Sequence, residues 1–209
     1  MDRTRPAGHL MSLDEYLAFE EQSPVKHEYV AGEVYAMSGV TTRHNLITLN
    51  ITRHLHGAAR ARSCRVFATD VKLRAAADRI YYPDVILACG KAAQVELIVE
   101  EPSLIVEVTS PSTRATDRRE KLDAYRRIPS LRLYLIVDQR RRHVFVYRRN
   151  VVGEWLRDEM HGEGEIPIPT LETELKMDHI YDDVPLPPLA VGEGEEWEDY
   201  ADEEDEDRP

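Results

Sequence analysis

The most informative segment for the fold is Leu104-Ile-Val-Glu-Val108, an almost continuous apolar and β-branched run. Such a run is typical of a central β-strand that is covered on both faces. Alternation along the strand places Glu107 on the same face as Ile105 and Thr109. A carboxylate at this point costs several kcal/mol unless a cation, a metal ion or a set of hydrogen-bond donors meets it. The stretch therefore predicts a central sheet with a charged site inside it.

Other patterns surround this strand with helices and further strands. A capping box at Ser12-Leu-Asp-Glu15 begins a short helix that ends near Ser23-Pro24, and helical spacing of apolar residues recurs over 42–60. A third helix is predicted for 117–127, before Pro129. The β-like runs are 27–37, folded into a hairpin at Ala31-Gly32, and 65–73, 80–89, 103–110, 133–137 and 143–147. This order predicts a mixed α/β (α+β) domain around a single sheet.

The composition describes one ordinary domain with an acidic tail. The 209 residues are 42% hydrophobic and 32% charged, and the formal net charge is −12. Eleven acidic residues and one basic residue lie in 192–209, so residues 1–191 carry 28 acidic and 26 basic side chains. We therefore divide the chain into a flexible leader (1–11), a folded domain (12–191) and a disordered acidic tail (192–209).

The tail has two interpretations. The first is a solubility appendage, which the composition favours. The second is an intramolecular mimic of nucleic acid that occupies a basic groove and lowers activity.

The two cysteines, Cys64 and Cys89, lie far apart and form no Cys-x-x-Cys pair or Cys/His cluster. This predicts reduced thiols and no structural zinc site. No stretch has the roughly 18 consecutive apolar residues of a membrane-spanning helix, and the first 12 residues lack the apolar core of a secretion signal. We expect a cytoplasmic protein that does not contact membranes.

A second acidic residue, Asp84, follows Pro83 in the apolar run 80–89. Two adjacent strands joined by the connection 90–102 would bring Asp84 beside Glu107. Neighbouring carboxylates repel each other, and a bridging divalent cation removes that repulsion. Oxygen ligands favour Mg²⁺ or Mn²⁺ over zinc, and these ions activate water for attack on a phosphodiester. Lys121, on the next helix, is the candidate that polarises the water or stabilises the phosphate.

Four groups of residues carry a resemblance to a known family. They are Tyr82-Pro-Asp-Val85, Leu104-Ile-Val-Glu-Val-Thr-Ser-Pro-Ser-Thr113, the set Asp117, Lys121 and Tyr125, and Leu135-Ile-Val-Asp138. In this order they resemble the Uma-type family of restriction endonucleases, formerly a domain of unknown function, in the PD-(D/E)XK nuclease superfamily. The resemblance extends from Leu13 to Tyr181, which is most of the chain.

The resemblance implies a restriction-endonuclease-like fold, a mixed central sheet flanked by helices. It also implies Asp84 and Glu107 as metal ligands, with the Val108 carbonyl as a third and Mg²⁺ or Mn²⁺ as the cofactor. Glu28 matches the family's N-terminal acid and would complete the metal shell. His44 matches its helix histidine, which would contact phosphate or carry a proton.

One position departs from the superfamily pattern. The lysine expected two residues after the glutamate is Thr109, whereas family members commonly supply a lysine from the following helix, and Lys121 matches that position. Without the resemblance, Lys121 would be interpreted as a solvated helix residue and His44 as a surface or capping residue. Tyr125, four residues after Lys121, is interpreted as a core residue.

Several further polar residues have two interpretations. Asp70 is a candidate for a second metal or for a structural contact, and Ser110 and Thr113 are predicted to cap the following helix or to hold a phosphate oxygen. Basic side chains near Lys121 and in one turn would neutralise DNA phosphates or form a solvated face. They are Arg114, Arg118, Arg119, Arg126, Arg127, Arg140, Arg141 and Arg142.

The leading hypothesis is a Mg²⁺- or Mn²⁺-dependent endonuclease that hydrolyses phosphodiester bonds in DNA, with Asp84, Glu107, Lys121, Glu28 and His44 as its catalytic set. The alternative keeps the fold without the chemistry, as a binding module for nucleic acid or a protein, and Thr109 is its main support. A metal-free sugar hydrolase with paired carboxylates is a weaker third reading, because few aromatic residues are present to bind a sugar. Edge strands in the C-terminal third leave room for a homodimer.

Overall fold

The structure is a computed structural model that describes residues 10–93, 97–109 and 117–187. In these residues the chain forms four α-helices: α1 (Leu13–Gln22), α2 (Thr42–Ala61), α3 (Leu122–Arg126) and α4 (Met177–Ile180). A π-helical turn, Asp117–Lys121, leads into α3. The strands are β1 (His27–Val30), β2 (Glu33–Ala36), β3 (Cys64–Ala68), β4 (Lys72–Ala76), β5 (Arg79–Tyr81), β6 (Val85–Cys89), β7 (Ile98–Val99), β8 (Pro102–Thr109), β9 (Leu133–Asp138), β10 (His143–Arg149), β11 (Trp155–His161), β12 (Glu165–Ile168) and β13 (Thr173–Lys176).

The described strands form three sheets, so the prediction of a single sheet is wrong. The largest has the order β11-β10-β9-β8-β6-β3, in which β8 and β9 are parallel and all other neighbours are antiparallel. A second sheet has the order β2-β1-β5-β4-β7, and β12 pairs with β13. The predicted mixed α/β architecture is confirmed.

Two backbone breaks create the second sheet. The predicted strand 65–73 divides at Thr69 and Asp70, whose φ angles of 46° and 58° turn the chain between β3 and β4. The predicted strand 80–89 divides at Tyr82-Pro83-Asp84, where proline supplies no N–H for a strand ladder. Each half then joins a different sheet.

Local signals at the N-terminal side are confirmed. Ser12 caps α1 and forms the predicted capping box with Glu15. The β1–β2 hairpin turns through Ala31 and Gly32, whose φ angles are 50° and 91°. Two consecutive residues with positive φ give the tight turn that matches the twist of a hairpin.

The central strand β8 packs on both faces, as its composition predicts. Its residues Val106 and Val108 belong to the core cluster that contains Ile51 of α2. Ile105 belongs to the opposite cluster, together with Tyr125 of α3. Burial of each such aliphatic side chain stabilises the fold by about 1.5–3 kcal/mol. Helices therefore cover both faces of β8, and Glu107 lies on the face that α3 covers.

Cys64 and Cys89 form a disulfide, so the prediction of reduced thiols is wrong. The two residues lie opposite each other where β3 pairs with β6. Their separation of 25 residues in sequence concealed this contact. The argument for a reducing compartment from free thiols is thereby removed.

The ends of the chain lie outside the described residues. The predicted leader and acidic tail therefore stay predictions. Met11, the last residue of the predicted leader, donates its backbone N–H to the carbonyl of Gly32 at 2.9 Å and so contacts the folded domain. Among the described helices, none is long and apolar enough to cross a membrane.

Candidate metal and nucleic-acid site

The candidate site lies at one end of the six-stranded sheet, where β6 begins and β8 approaches its end. Val85 of β6 pairs with Val106 of β8 in antiparallel register. Asp84 precedes Val85 and Glu107 follows Val106, so the pairing brings these two acidic residues to neighbouring positions. The first turn of α2, the hairpin strand β1 and the π-helical turn contribute the other polar groups.

Glu107 is buried, with 4% of its surface exposed, and two donors meet its Oε1 atom. The Lys121 ammonium lies 3.1 Å away, and the Tyr125 hydroxyl donates a hydrogen bond of 2.8 Å. This pairing offsets much of the desolvation cost that an isolated buried carboxylate would carry. The cation that the sequence requires at this point is therefore Lys121.

Lys121 joins two carboxylates from different sheets. Its Nζ lies 2.8 Å from Oε1 of Glu28 in β1, as well as 3.1 Å from Glu107. The Lys121 side chain is only 5% exposed, and its ammonium also lies 5.6 Å from the centre of the Tyr81 ring. The predicted residues Glu28, Glu107 and Lys121 thus form one buried ionic triad.

Asp84 stands beside this triad and makes two contacts through its Oδ2 atom. It accepts the backbone N–H of Val108 at 2.7 Å, and Nε2 of His44 lies 3.2 Å away. Thr41 caps α2 by accepting the N–H of His44, which fixes the start of the helix near the site. The structure therefore brings Asp84 and His44 together. The N–H of Val108 contacts Asp84, and the role of the Val108 carbonyl as a metal ligand stays a prediction.

Tyr125 was interpreted from sequence as a core residue only, and its hydroxyl was missed. The side chain is fully buried, and burial, followed by the nearby Glu107 carboxylate, raises the pKa of Tyr125 well above its usual value. The hydroxyl therefore stays protonated and donates to Glu107. The spacing of four residues from Lys121 places both on one helical face, and this was the available sequence signal.

Gln139 is a second residue that the sequence interpretation missed. It is buried directly after the Leu135-Ile-Val-Asp138 segment, and its amide oxygen accepts the hydroxyl of Thr41, the cap of α2. Its backbone N–H donates to the carbonyl of Thr109 at 3.3 Å. Gln139 therefore connects the end of β8 to the start of the helix that carries His44.

Thr109 stands where many nucleases of the superfamily have a lysine. Its hydroxyl lies 3.5 Å from the carbonyl oxygen of Val137 on the neighbouring strand. The residue is buried and contributes no cation. The positive charge of the site comes from Lys121.

Other predicted polar residues form ion pairs with neighbouring side chains. Asp70 is exposed in the β3–β4 turn and forms an ion pair of 2.5 Å with Lys26. In the β9–β10 turn, Arg141 binds Asp138 at 3.2 Å, and Arg142 binds Asp178. The predictions for Ser110, Thr113 and Arg114, and for the side chain of Arg118, lie outside the described residues.

The donor set fits a divalent cation of the magnesium class. The carboxylates of Glu28 and Glu107 meet the ammonium of Lys121, and Asp84 lies at the position next to Glu107 on the paired strand. Oε1 of Glu28 is buried and lies 2.8 Å from the Lys121 ammonium, so a bound cation would share this carboxylate with Lys121. Hard oxygen donors of this kind suit Mg²⁺ or Mn²⁺. A different group in the described part of the chain has three ligand atoms within 4.8 Å of one another. It consists of His143, Glu159 and His161.

Comparison with known proteins identifies the family. Residues 13–179 match Uma2, the family described as “Putative restriction endonuclease”. The chain belongs to this family. The resemblance inferred from the four groups of residues is thereby confirmed.

Similar proteins support this assignment and the fold. The chain is 34% identical over 158 residues to the uncharacterized protein sll1609 of Synechocystis sp., covering 74% of this chain and 89% of that protein. It is 31% identical over 177 residues to slr1290 of the same organism, covering 82% and 91%. A crystal structure of a “putative nuclease belonging to DUF820” from Anabaena variabilis superimposes with a TM-score of 0.69 at 16% identity, covering 82% of this chain and 97% of that one. The restriction-endonuclease-like fold is therefore confirmed for the Uma2 chain.

Proposed function

We propose that this Uma2 protein is a Mg²⁺- or Mn²⁺-dependent endonuclease that hydrolyses phosphodiester bonds in DNA. The observation that carries the proposal is the buried triad of Glu28, Lys121 and Glu107, with Asp84 at its side. A sheet end that gathers three carboxylates and one ammonium is costly to fold, so a structural role explains it poorly. A phosphodiesterase needs both oxygen ligands and a cation for the phosphate, and this site supplies both.

The carboxylates of Asp84 and Glu107, with help from Glu28, would hold the metal ion. When bound, the ion would neutralise phosphate charge and lower the pKa of a water molecule. Lys121 would orient the attacking water or stabilise the negative charge that develops on the phosphate. His44 orients Asp84 through its 3.2 Å contact and lies where an imidazole could contact phosphate or carry a proton.

A binding module without catalysis is the second candidate, and one observation favours it. Thr109 is buried, and its hydroxyl lies near the carbonyl oxygen of Val137. The usual lysine position therefore supplies no charge. In that case the triad would be a remnant that serves only to hold β1 and α3 against β8.

A cleavage assay separates the two candidates. We would incubate supercoiled plasmid, DNA oligonucleotides and RNA oligonucleotides with the wild-type chain in Mg²⁺, Mn²⁺ or EDTA, and compare Glu107→Gln. The matched control is Glu101→Gln, the same substitution at an exposed residue just before β8. We expect metal-dependent DNA cutting that falls by about 10³-fold in Glu107→Gln and is unchanged in Glu101→Gln.

Lys121 provides an independent arm of the same experiment. Lys121→Met removes the ammonium but keeps much of the side-chain volume, so cleavage should fall. Added Mg²⁺ should still raise the melting temperature of the variant, because its oxygen ligands remain. Circular dichroism checks that each variant is folded. If the folded wild-type chain cuts no substrate and calorimetry detects no Mg²⁺ binding, the binding-module candidate is the better account.

A further inference from the structure

A second cluster of ligand groups lies on the β10–β11 hairpin, apart from the nuclease site. His143 pairs directly with His161 across the two strands, and Glu159 lies two residues before His161. Residues two apart on a strand share a face, so the two imidazoles and the carboxylate point to the same side of the hairpin. One ligand atom from each of the three lies within 4.8 Å of the others.

The distances in this cluster are those of metal ligands. Oε2 of Glu159 lies 3.4 Å from Nε2 of His143 and 3.5 Å from Nε2 of His161. Both are longer than the usual 2.7–3.2 Å of an N–H···O hydrogen bond. Four ligands placed tetrahedrally at about 2.0–2.1 Å from zinc lie about 3.3–3.4 Å from one another. We propose that His143, Glu159 and His161 bind one zinc-class transition-metal ion.

Neighbouring groups orient these ligands. Arg157 binds the other carboxylate oxygen of Glu159, Oε1, so Oε2 faces the histidines. The two imidazole rings are stacked, with centroids 4.2 Å apart and planes at 11°. The hydroxyl of Tyr181 lies 3.1 Å from the backbone nitrogen of His143 and 2.9 Å from its carbonyl oxygen. Contacts of this kind around metal ligands reduce the ordering cost of binding.

The chemistry of the donors also suits a metal ion of this class. Two imidazole nitrogens and one carboxylate oxygen form a mixed nitrogen and oxygen donor set, which zinc binds and magnesium does not favour.

The proposed zinc-class site shares a sheet face with the nuclease site but no ligand. Glu107 pairs with Ile136, Ile136 with Phe145 and Phe145 with Glu159, so one row crosses four strands. Neighbouring strands are about 4.8 Å apart, which places Glu159 about 14 Å from Glu107. His161 is 66% exposed, so solvent or a further ligand can reach the open coordination position. Bound metal would stabilise the pairing of β11, which is mostly exposed, with the largely buried strand β10.

Zinc calorimetry on the full chain in excess Mg²⁺ tests this inference, because Mg²⁺ occupies oxygen-rich sites and the acidic tail. We expect one Zn²⁺ per wild-type chain, at least about 100-fold weaker binding in His161→Ala and Glu159→Gln, and visible Co²⁺ absorption typical of a four-coordinate site. His54→Ala is the matched control, because His54 stacks on His179 and no third ligand atom from the described part of the chain completes a metal-binding group there. Glu107→Gln should keep the Zn²⁺ site, which makes this test independent of the nuclease proposal.

Two outcomes would overturn the inference. One is a folded wild-type chain that takes up no stoichiometric Zn²⁺. The other is Zn²⁺ binding that is equal in His161→Ala and the wild type, or that is lost equally in His54→Ala. The exposed position of His161 means that its substitution should leave the fold intact, which the melting temperature without metal verifies.

Discussion

Glu107 and Tyr125 show how a buried charge is tolerated inside an apolar strand. Two donors reach the same carboxylate oxygen, and they come from one helix face, since Lys121 and Tyr125 are four residues apart. The ammonium supplies the positive charge. The ring of Tyr125 is packed in the core, so its hydroxyl holds the Glu107 carboxylate in one orientation. Tyr125 is therefore a positioning residue for Glu107.

Tyr125→Phe tests this role at the residue scale. The substitution removes only the hydroxyl, so we expect a loss of about 1–3 kcal/mol in the free energy of unfolding, as for a hydrogen bond to a charged group. We also expect cleavage to fall through kcat and the metal dependence to weaken, because Glu107 loses the contact that its Oε1 atom makes with the phenol. Urea unfolding and steady-state cleavage at several Mg²⁺ concentrations measure both. Tyr147→Phe, in the same core cluster, is the control. Equal metal dependence in the wild type and Tyr125→Phe would contradict the positioning role.

Among the secondary-structure elements, those with strong local signals were predictable from sequence. The capping box defines α1, the Ala31-Gly32 turn defines the first hairpin, and the apolar run defines β8. The strand breaks at Thr69-Asp70 and Pro83 were missed because an apolar run shows where a strand lies but not which sheet its two halves join. The Cys64–Cys89 contact was missed for the same reason, since it depends on the pairing of β3 with β6.

The disulfide yields a prediction at the scale of these two strands. It closes a loop with a sequence separation of 25, for which chain entropy gives about 3.5 kcal/mol of stabilisation. Thiol titration in denaturant should find no free thiol in the chain purified without reductant and two after reduction. Reduction, or the Cys64→Ala/Cys89→Ala pair of substitutions, should lower the free energy of unfolding by about that amount. Two titratable thiols before reduction would show that the bond does not form.

The contact between α2 and α4 yields a pH prediction. His54 stacks on His179, with ring centroids 3.9 Å apart. Burial, then the charges of His179 and Arg53, lowers the pKa of His54 below 6.5, although Asp182 acts in the opposite direction. The unfolded chain then binds more protons than the folded chain, so this pair should lose stability as the pH falls below about 6.5.

An NMR titration of the imidazole signals measures this effect. His179→Ala removes one cause of the shift, so the pKa of His54 should rise towards 6.5 and the loss of stability at acidic pH should become smaller. His161→Ala, whose ring stacks on His143 and not on His54, is the control and should leave His54 unchanged. An unaltered titration of His54 in His179→Ala would refute the coupling.

For the whole molecule, the sequence selected residues that lie together in the structure, but it did not show their contacts. Asp84, Glu107, Lys121, Glu28 and His44 were all selected, and the structure gathers them at one sheet end. Their pairing, Lys121 with two glutamates and Asp84 with His44, depends on how two sheets and two helices pack. No single segment encodes that packing. The same limit applies to the predicted homodimer, which remains a prediction.

The acidic tail dominates the net charge of the entire chain. Removal of residues 192–209 changes the net charge from −12 to −2. A tail that acts only as a solubility appendage repels DNA over the screening distance, which is about 30 Å in 0.01 M salt and about 8 Å in 0.15 M salt. We therefore expect truncation to strengthen DNA binding in low salt but to leave the dissociation constant within about twofold in 0.15 M salt.

A peptide added in trans distinguishes this behaviour from autoinhibition. If the tail occupies the DNA-binding groove, a synthetic peptide of residues 192–209 should inhibit the truncated chain more strongly than a scrambled peptide of the same charge. If it is a solubility appendage, the two peptides should act equally, because only their charge matters at a distance. Sequence-specific inhibition that persists in 0.15 M salt would establish the tail as a nucleic-acid mimic, since screening removes long-range repulsion but not a contact at a site.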